Sequence, residues 1–182
     1  MAHPTAVLSR LRVRVGYPLT LIYLWLAKPT ANAIAIGAAV GIVGLVIRGR
    51  AAGHLRKSEA LATSGPYAMT RNPLYLGSAT LAAGFAIASH SWIASLLLLA
   101  YFLVFYPAVM KSEEAELHAL YVKEFESYAA RVPLFWPRIL RRGEAGGARF
   151  SWALYRRNRE YRAAFGFAFA LGLVVLRMFW RG

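Results

Sequence analysis

Cysteine and aspartate are both missing from this 182-residue sequence, and each absence narrows the chemistry open to it. Without cysteine there is no disulfide, no thiolate nucleophile and no cysteine-based zinc site. All eight acidic residues are glutamates, so carboxylate chemistry rests on few groups. The four histidines, at positions 3, 54, 90 and 118, lack the spacing of metal ligands. The sequence therefore predicts a protein without a metal site.

Charged residues are also scarce, at 16% against about 25% in soluble domains. Hydrophobic residues make up 58% and aromatic residues 14%, and the apolar excess is concentrated in blocks, which is typical of a membrane protein. The length suggests a single domain, residues 1–182. A net charge of +14 is compatible with nucleic-acid binding, but basic residues in a membrane protein mark cytosolic loops and meet anionic headgroups. We therefore expect membrane lipids as partners and no nucleic acid.

Five apolar blocks predict five transmembrane helices. They cover approximately residues 15–27, 31–47, 74–89, 92–110 and 163–180. A helix needs roughly 20 residues to cross the hydrocarbon core, so the first and third blocks would be tilted or only partly embedded. In the second block Gly37, Gly41 and Gly44 recur at spacings of four and three, which allows another helix to pack closely in lipid.

The distribution of basic residues predicts the orientation in the membrane. With five spans and a cytosolic N-terminus, 19 of the 22 lysines and arginines fall in cytosolic segments, and only Lys28, Arg177 and Arg181 do not. This bias follows the positive-inside rule. The composition is rich in alanine and favours arginine over lysine, which indicates a GC-rich prokaryote. We therefore expect a protein of the bacterial inner membrane.

The C-terminal part, about residues 150–180, follows a glycine-rich segment at 143–147 that we expect to be a flexible loop. Residues 150–162 mix Trp152, Tyr155 and Tyr161 with arginines, which suits an interfacial helix on anionic headgroups. A plain cytosolic extension of the last span is an equal alternative. Residues 163–180 then form the last membrane helix.

The most informative stretch is residues 64–77, which lead into the third apolar block. Gly65-Pro66 predicts a turn, since proline fixes its own φ and restricts the residue before it. Pro73 suits the first turn of a helix, which makes Asn72 a plausible N-cap whose side chain meets first-turn N–H groups. Arg71 is either an ordinary cytosolic-side cation or a functional group at the mouth of a membrane helix. Its isolation among apolar neighbours favours the second interpretation.

A second motif block, residues 111–131, predicts an amphipathic cytosolic helix. Its apolar stripe, at spacings of four, four and three, consists of Leu117, Tyr121, Phe125 and Tyr128. Glu113 and Glu114 flank this stripe. A carboxylate at the end of a span is costly unless it is paired or hydrated, which makes it a functional candidate, and the alternative is a helix-start carboxylate favoured by the helix dipole. The predicted fold is all-α, a polytopic integral membrane protein with about five transmembrane helices and a cytosolic amphipathic helix.

Together the two blocks resemble those of the isoprenylcysteine carboxyl methyltransferase and phospholipid methyltransferase families of integral-membrane enzymes. These families typically show a Gly-Pro-Tyr turn, an Arg-His-Pro-x-Tyr or Arg-Asn-Pro-x-Tyr motif with a nearby glycine, a pair of glutamates and an Arg-Val-Pro. The resemblance covers about residues 64–138 and rests on Gly65, Pro66, Tyr67, Arg71, Pro73, Tyr75, Gly77, Glu113, Glu114, Tyr128, Arg131, Val132 and Pro133. The sequence departs at Asn72, where carboxyl methyltransferases usually have histidine, and at Tyr121, Val122 and Phe125. Because of these departures, the resemblance indicates the cofactor more firmly than it indicates the substrate.

The resemblance implies methyl transfer from S-adenosylmethionine to a membrane-embedded acceptor at the cytosolic face. It implies a cofactor pocket between the two blocks, formed by Tyr67, Asn72, Pro73, Tyr75, Gly77 and Tyr128. The implied catalytic residues are Arg71, which would hold a carboxylate of substrate or cofactor, and Glu113 or Glu114, which would hold a cationic or hydroxyl group of the cofactor. The sulfonium carries its own electrophile, so the reaction needs alignment and exclusion of water more than acid–base help.

Several alternatives stay open at this point. The acceptor could be a lipid amine or a prenylated carboxylate, which means N-methylation or O-methylation. A membrane reductase that uses NADPH is a second class, because sterol reductases are similar to these families in their C-terminal halves. A non-enzymatic helical membrane protein, whose motif residues are caps and turns, is a third. The sequence does not give the oligomeric state.

Overall fold

The computed structural model describes residues 4–57, 59–138 and 149–181, and all regular secondary structure within these ranges is helical. Their seven α-helices are α1 Pro4–Leu26, α2 Ala31–Ala52, α3 Pro73–Ala88, α4 Trp92–Leu120, α5 Val122–Ala129, α6 Trp152–Arg157 and α7 Tyr161–Arg181. A short 3-10 helix, Gly65–Ala68, precedes α3. The predicted all-α class is confirmed. The loop expected at 143–147 lies outside the described residues.

The long helices form a bundle with two distinct ends. Arg48, late in α2, donates a hydrogen bond to the carbonyl of Leu74 at the start of α3, and the first motif block lies there. Arg177, late in α7, reaches the carbonyl of Leu24 at the end of α1. We call the end of the bundle near Arg48 the motif end, because α2 finishes there and α3 and α7 begin there. We call the opposite end, near Arg177, the turn end; it holds the α1–α2 and α3–α4 connections and the last turns of α7.

Glycines let α2 pack unusually close to its neighbours. A Cβ added to Gly37 would lie 2.4 Å from the carbonyl oxygen of Gly84, and one on Gly44 would lie 2.7 Å from that of Gly77. A Cβ on Gly41 would lie 2.3 Å from the ring of Phe167 in α7. No side chain fits at these distances, so the close packing predicted from the glycine spacing in α2 is confirmed.

Three helices are long and apolar enough to cross a membrane: Ala31–Ala52, Trp92–Leu120 and Tyr161–Trp180. Helix α3 is apolar but has only 16 residues, and α1 has 23 residues but carries three arginines in its first half. Large apolar side chains on the outer faces are exposed, for example Leu103 and Phe165, as expected for contact with lipid. These helices are consistent with an integral membrane protein, and the count of five spans stays a prediction.

The boundary predicted for the amphipathic helix is wrong. Helix α4 continues from Trp92 to Leu120 because residues 111–120 consist largely of strong helix formers. The helix ends at Tyr121, whose φ of −131° and ψ of 47° are not helical, and α5 follows. Glu113 and Glu114 therefore lie inside a 29-residue helix, and the helix-start explanation for them is excluded. In the C-terminal part, α6 forms only residues 152–157 of the predicted interfacial helix.

Candidate active site

Main-chain hydrogen bonds hold the first motif block against the second. The N–H of Arg71 donates to the carbonyl of Pro133 at 2.9 Å, and the N–H of Arg138 donates to the carbonyl of Met69 at 2.9 Å. Because these bonds use backbone atoms, they fix the path of both segments without depending on their side chains. The two blocks are therefore one structural unit at the motif end of the bundle.

The tripeptide Gly65-Pro66-Tyr67 forms the turn that the sequence predicts. Gly65 has a φ of +59°, a left-handed conformation that glycine adopts without strain. The following 3-10 helix places the Tyr67 side chain inside, where the hydroxyl of Tyr128 donates to its carbonyl at 2.7 Å. Burial raises the pKa of both the Tyr67 and the Tyr128 phenols above the ordinary tyrosine value, at which the phenol is already neutral at physiological pH.

Thr70 and Asn72 are buried and tie the segment before α3 to the chain after Pro133. The Thr70 hydroxyl donates to the carbonyl of Phe135 at 2.9 Å, and Nδ2 of Asn72 donates to the carbonyl of Leu134 at 3.1 Å. Asn72 is the N-cap residue of α3, as expected, but its side chain makes no capping bond. The predicted side-chain cap is wrong because the amide is used as a bridge to Leu134. Its contact with a cofactor stays a prediction.

Arg71 and Glu114 form an ion pair between the two motif blocks. Nε of Arg71 lies 3.0 Å from Oε1 of Glu114, and the two side chains are only 16% and 20% exposed. The guanidinium carbon lies 5.9 Å from the centroid of the Phe125 ring. Both paired atoms are buried, yet they are not aligned as a hydrogen bond. A buried donor and a buried acceptor without an aligned partner need an explanation, and either a water molecule or a polar ligand would supply one.

Glu113 faces a different set of groups from its neighbour. Its Oε1 accepts a hydrogen bond from the hydroxyl of Tyr75 at 2.5 Å. Tyr75, Tyr106 and Phe102 form an aromatic cluster, in which Tyr75 meets Tyr106 edge-on at 5.5 Å and Phe102 stacks on Tyr106 at 4.1 Å between ring centroids. The guanidinium carbon of Arg12 lies 5.5 Å from the centroid of the Tyr106 ring. Sequence reasoning missed Arg12, because it reads as one more basic residue before a span.

A second, partly buried ion pair at the motif end connects α2 and α3 to the residue just before α7. Nε of Arg48 donates to Oε1 of Glu160 at 2.6 Å and Nη2 donates to Oε2 at 3.1 Å. Nη1 of the same guanidinium donates to the hydroxyl of Ser78 at 2.6 Å. Sequence reasoning also missed this pair. The signal available was that Glu160 is a lone carboxylate among arginines just before the last apolar block.

Pro73 and Gly77 have clear structural positions. Pro73 is buried in the first turn of α3, as the sequence predicts. Gly77 faces α2, where an added Cβ would lie 2.5 Å from Cγ of Arg48 and 2.8 Å from the carbonyl oxygen of Gly44. The structure thus turns Gly77 toward α2. The predicted cofactor contacts of both residues stay untested.

An open cavity of about 770 Å³, which we call the α5 groove, lies beside Tyr128. Its walls come from residues 59–63 and 120–131, and its charged groups include Glu59, Lys123 and Glu124. Arg157 of α6 forms an ion pair with Glu59 and so connects the C-terminal part to this groove. Within the ranges that the structure describes, no group of three or more histidine or glutamate side chains is placed to hold a metal ion.

The bundle combines membrane-length helices with two motif blocks that meet at one end, which is the arrangement expected of a membrane methyltransferase. The chain belongs to the phospholipid methyltransferase family, whose family model matches residues 11–124. The match confirms the resemblance seen in the two motif blocks. It begins near Arg12 and includes the first block and the Glu113–Glu114 pair.

Two curated bacterial proteins are also similar to the chain. The cobalt-zinc-cadmium resistance protein CzcN of Cupriavidus metallidurans is 38% identical over 91 residues, which cover 50% of this chain and 42% of that protein. The nickel-cobalt-cadmium resistance protein NccN of Alcaligenes xylosoxydans xylosoxydans is 39% identical over 84 residues, which cover 46% of this chain and 39% of that protein. The match therefore spans about two fifths of each relative's length. No solved structure matches the chain significantly.

Proposed function

We propose that this chain transfers a methyl group from S-adenosylmethionine to a lipid headgroup at the motif end of the bundle. The observation that carries the proposal is the convergence of both motif blocks on the Arg71–Glu114 pair, in a chain of the phospholipid methyltransferase family. Positive-inside charge bias supports a motif end on the cytosolic side, where the cofactor is available. The three helices that are long and apolar enough to cross a membrane support an acceptor that reaches the site from the lipid.

The groups around the α5 groove fit S-adenosylmethionine. A volume of about 770 Å³ lies within the range of roughly 300–1,000 Å³ that is usual for ligand sites. Glu124, which lines the groove, would accept hydrogen bonds from hydroxyl or amino groups. Arg71 lies outside the lining, but its charge acts on Tyr128, which lines the groove, and it would hold the carboxylate of the amino-acid part. When bound, the cofactor supplies a methyl group on a positively charged sulfur. The side chains then have only to orient the reactants and exclude water, a role that suits the buried neutral phenols of Tyr67 and Tyr128.

The aromatic cluster and its two charged neighbours support a zwitterionic acceptor. Glu113 accepts a hydrogen bond from the Tyr75 hydroxyl, and the guanidinium of Arg12 lies over the ring of Tyr106 in the same cluster. The carboxylate of Glu113 and the faces of the aromatic rings favour a cationic amine, whereas Arg12 favours a phosphate. An ethanolamine phospholipid carries both groups, so we favour N-methylation. A prenylated carboxylate stays the alternative acceptor, and Asn72 in place of the histidine usual in carboxyl methyltransferases argues against it.

Calorimetric titration in lipid nanodiscs tests the cofactor class. We expect S-adenosylhomocysteine, the product form of the cofactor, to bind the folded protein and NADPH not to bind. Binding of NADPH alone would contradict the proposal in favour of a reductase, and binding of neither would favour a non-enzymatic protein. Transfer of a radiolabelled methyl group to ethanolamine lipids or to a prenylated cysteine peptide then distinguishes the two acceptors.

A matched pair of variants tests the location of the cofactor. Glu124→Gln removes a carboxylate from the α5 groove, whereas Glu116→Gln removes an exposed one that does not line it. A glutamine at this position still accepts hydrogen bonds but lacks the charge that makes them about twice as strong, so Glu124→Gln should weaken S-adenosylhomocysteine binding about five- to tenfold. Equal affinities of the two variants would place the cofactor outside this groove.

A further inference from the structure

A second cavity, of about 350 Å³, lies at the turn end of the bundle, away from both motif blocks. The α1–α2 connection, the start of α4 and the last turns of α7 form its walls. Its lining contains the basic side chains of Lys28 and Arg177 and the imidazole of His90, with Trp25 and Trp92 among the remaining residues. None of its lining residues is acidic.

The charges in this turn-end cavity are exceptional for the chain. Lys28 and Arg177 are two of the three lysines and arginines that fall outside the predicted cytosolic segments. Neither forms an ion pair within the part of the chain that the structure describes. Two cations that share one cavity without a carboxylate create a positive potential that attracts an anion. The electrostatic potential of the cavity therefore favours a bound anion.

The cationic groups are also held in place. Nε of Arg177 donates to the carbonyl of Leu24 at 2.9 Å and Nη2 donates to the carbonyl of Trp25 at 3.3 Å, which fixes the guanidinium at the end of α1. Helix α4 begins at Trp92 in the cavity wall, and the first turn of a helix carries partial positive charge. An anion here would meet the fixed guanidinium of Arg177, the exposed ammonium of Lys28 and the start of α4.

The tryptophans indicate at which level of the membrane the cavity lies. Trp25 and Trp92 are 74% and 76% exposed beside the cavity. Exposed tryptophans of membrane proteins concentrate at the level of the lipid headgroups. The commonest anion at that level is the phosphate of a phospholipid. We propose that the turn-end cavity binds the phosphate group of an anionic phospholipid, in the leaflet opposite the candidate active site.

Native mass spectrometry of the whole chain, titrated with phosphatidylglycerol in detergent, tests this proposal. The variants are Lys28→Gln at the cavity and Lys123→Gln at the other end, since both lysines have exposed side chains. We expect Lys28→Gln to weaken retention of one phosphatidylglycerol about tenfold, Lys28→Arg to retain it, and Lys123→Gln to leave that molecule bound as in the unmodified chain. The backbone bond from Lys28 to the carbonyl of Ser89 is kept in each Lys28 variant, and circular dichroism checks the fold.

Three results would overturn the proposal. Equal losses in the Lys28→Gln and Lys123→Gln variants would mean general attraction of lipid to a basic protein. Equal retention of phosphatidylcholine would mean that the net negative charge of the lipid is not recognised. Binding of glycerol 3-phosphate as tightly as the lipid, and with the same dependence on Lys28, would make the ligand a soluble phosphate.

Discussion

Replacing Gly77 by alanine separates two roles that this glycine can have. The resemblance to the methyltransferase families assigns it to the cofactor pocket, whereas the structure turns it toward α2. An added Cβ would lie 2.5 Å from Cγ of Arg48, 2.8 Å from the carbonyl oxygen of Gly44 and 3.1 Å from the backbone nitrogen of Arg48. Two of these atoms are backbone, and the Arg48 side chain is fixed by Glu160 and Ser78. Helices α2 and α3 must therefore move apart to admit the methyl group.

Overpacking of this kind costs about 1–3 kcal/mol. For a chain of this length each kcal/mol corresponds to about 2–4 °C in Tm, so Gly77→Ala should lower Tm by roughly 2–12 °C. Thermal unfolding in detergent, followed by circular dichroism, measures the shift. Gly172→Ala is the matched control, because a Cβ at Gly172 in α7 meets nothing within 4 Å. An unchanged Tm for Gly77→Ala, together with weaker S-adenosylhomocysteine binding, would refute the packing role and support a cofactor contact.

Three further predictions concern the carboxylates and the topology. Glu114→Gln should lower stability and S-adenosylhomocysteine affinity more than Glu113→Gln, because it leaves the guanidinium of Arg71 without its negative partner, whereas a glutamine at 113 still accepts the hydroxyl of Tyr75. Equal effects of the two changes in calorimetry and thermal unfolding would contradict this difference. Glu160→Gln should lower Tm by several degrees in thermal unfolding, since the carboxylate accepts two hydrogen bonds from one guanidinium, and an unchanged Tm would show that the pair contributes nothing. Because the chain has no cysteine, Lys123→Cys and Lys28→Cys are clean probes, and a membrane-impermeant thiol reagent applied to whole cells should label only the second.

Local backbone rules predicted much of the motif end. Gly65-Pro66 gave the turn and Pro73 gave the first turn of α3, because both residues restrict the backbone whatever surrounds them. The spacing of glycines in α2 likewise predicted close packing, since a missing side chain has the same effect wherever another helix approaches. Such features depend on few residues and little on tertiary contacts.

Features that depend on distant partners were not predictable in the same way. Nothing near Asn72 in the sequence indicates that its amide binds the carbonyl of Leu134, 62 residues away. The guanidinium of Arg12 and the carboxylate of Glu160 acquire their roles only when α1 and α7 pack on the bundle. The predicted helix start at 111 is wrong for a different reason: the composition changes there from apolar to charged, but most of residues 111–120 are strong helix formers, so the helix continues.

The length of α4 sets the depth at which the candidate chemistry takes place. At 1.5 Å per residue its 29 residues extend about 44 Å, longer than the roughly 30 Å of a hydrocarbon core. Glu113 comes 21 residues after Trp92, or about 32 Å along the axis, so with Trp92 among the headgroups of one leaflet the glutamate pair reaches the boundary of the other. Water-borne and lipid-borne reactants can both reach that level. Deleting one helical turn from the apolar part of α4 would draw the carboxylates about 5 Å toward the hydrocarbon, where charged groups are costly and a water-soluble donor has less access.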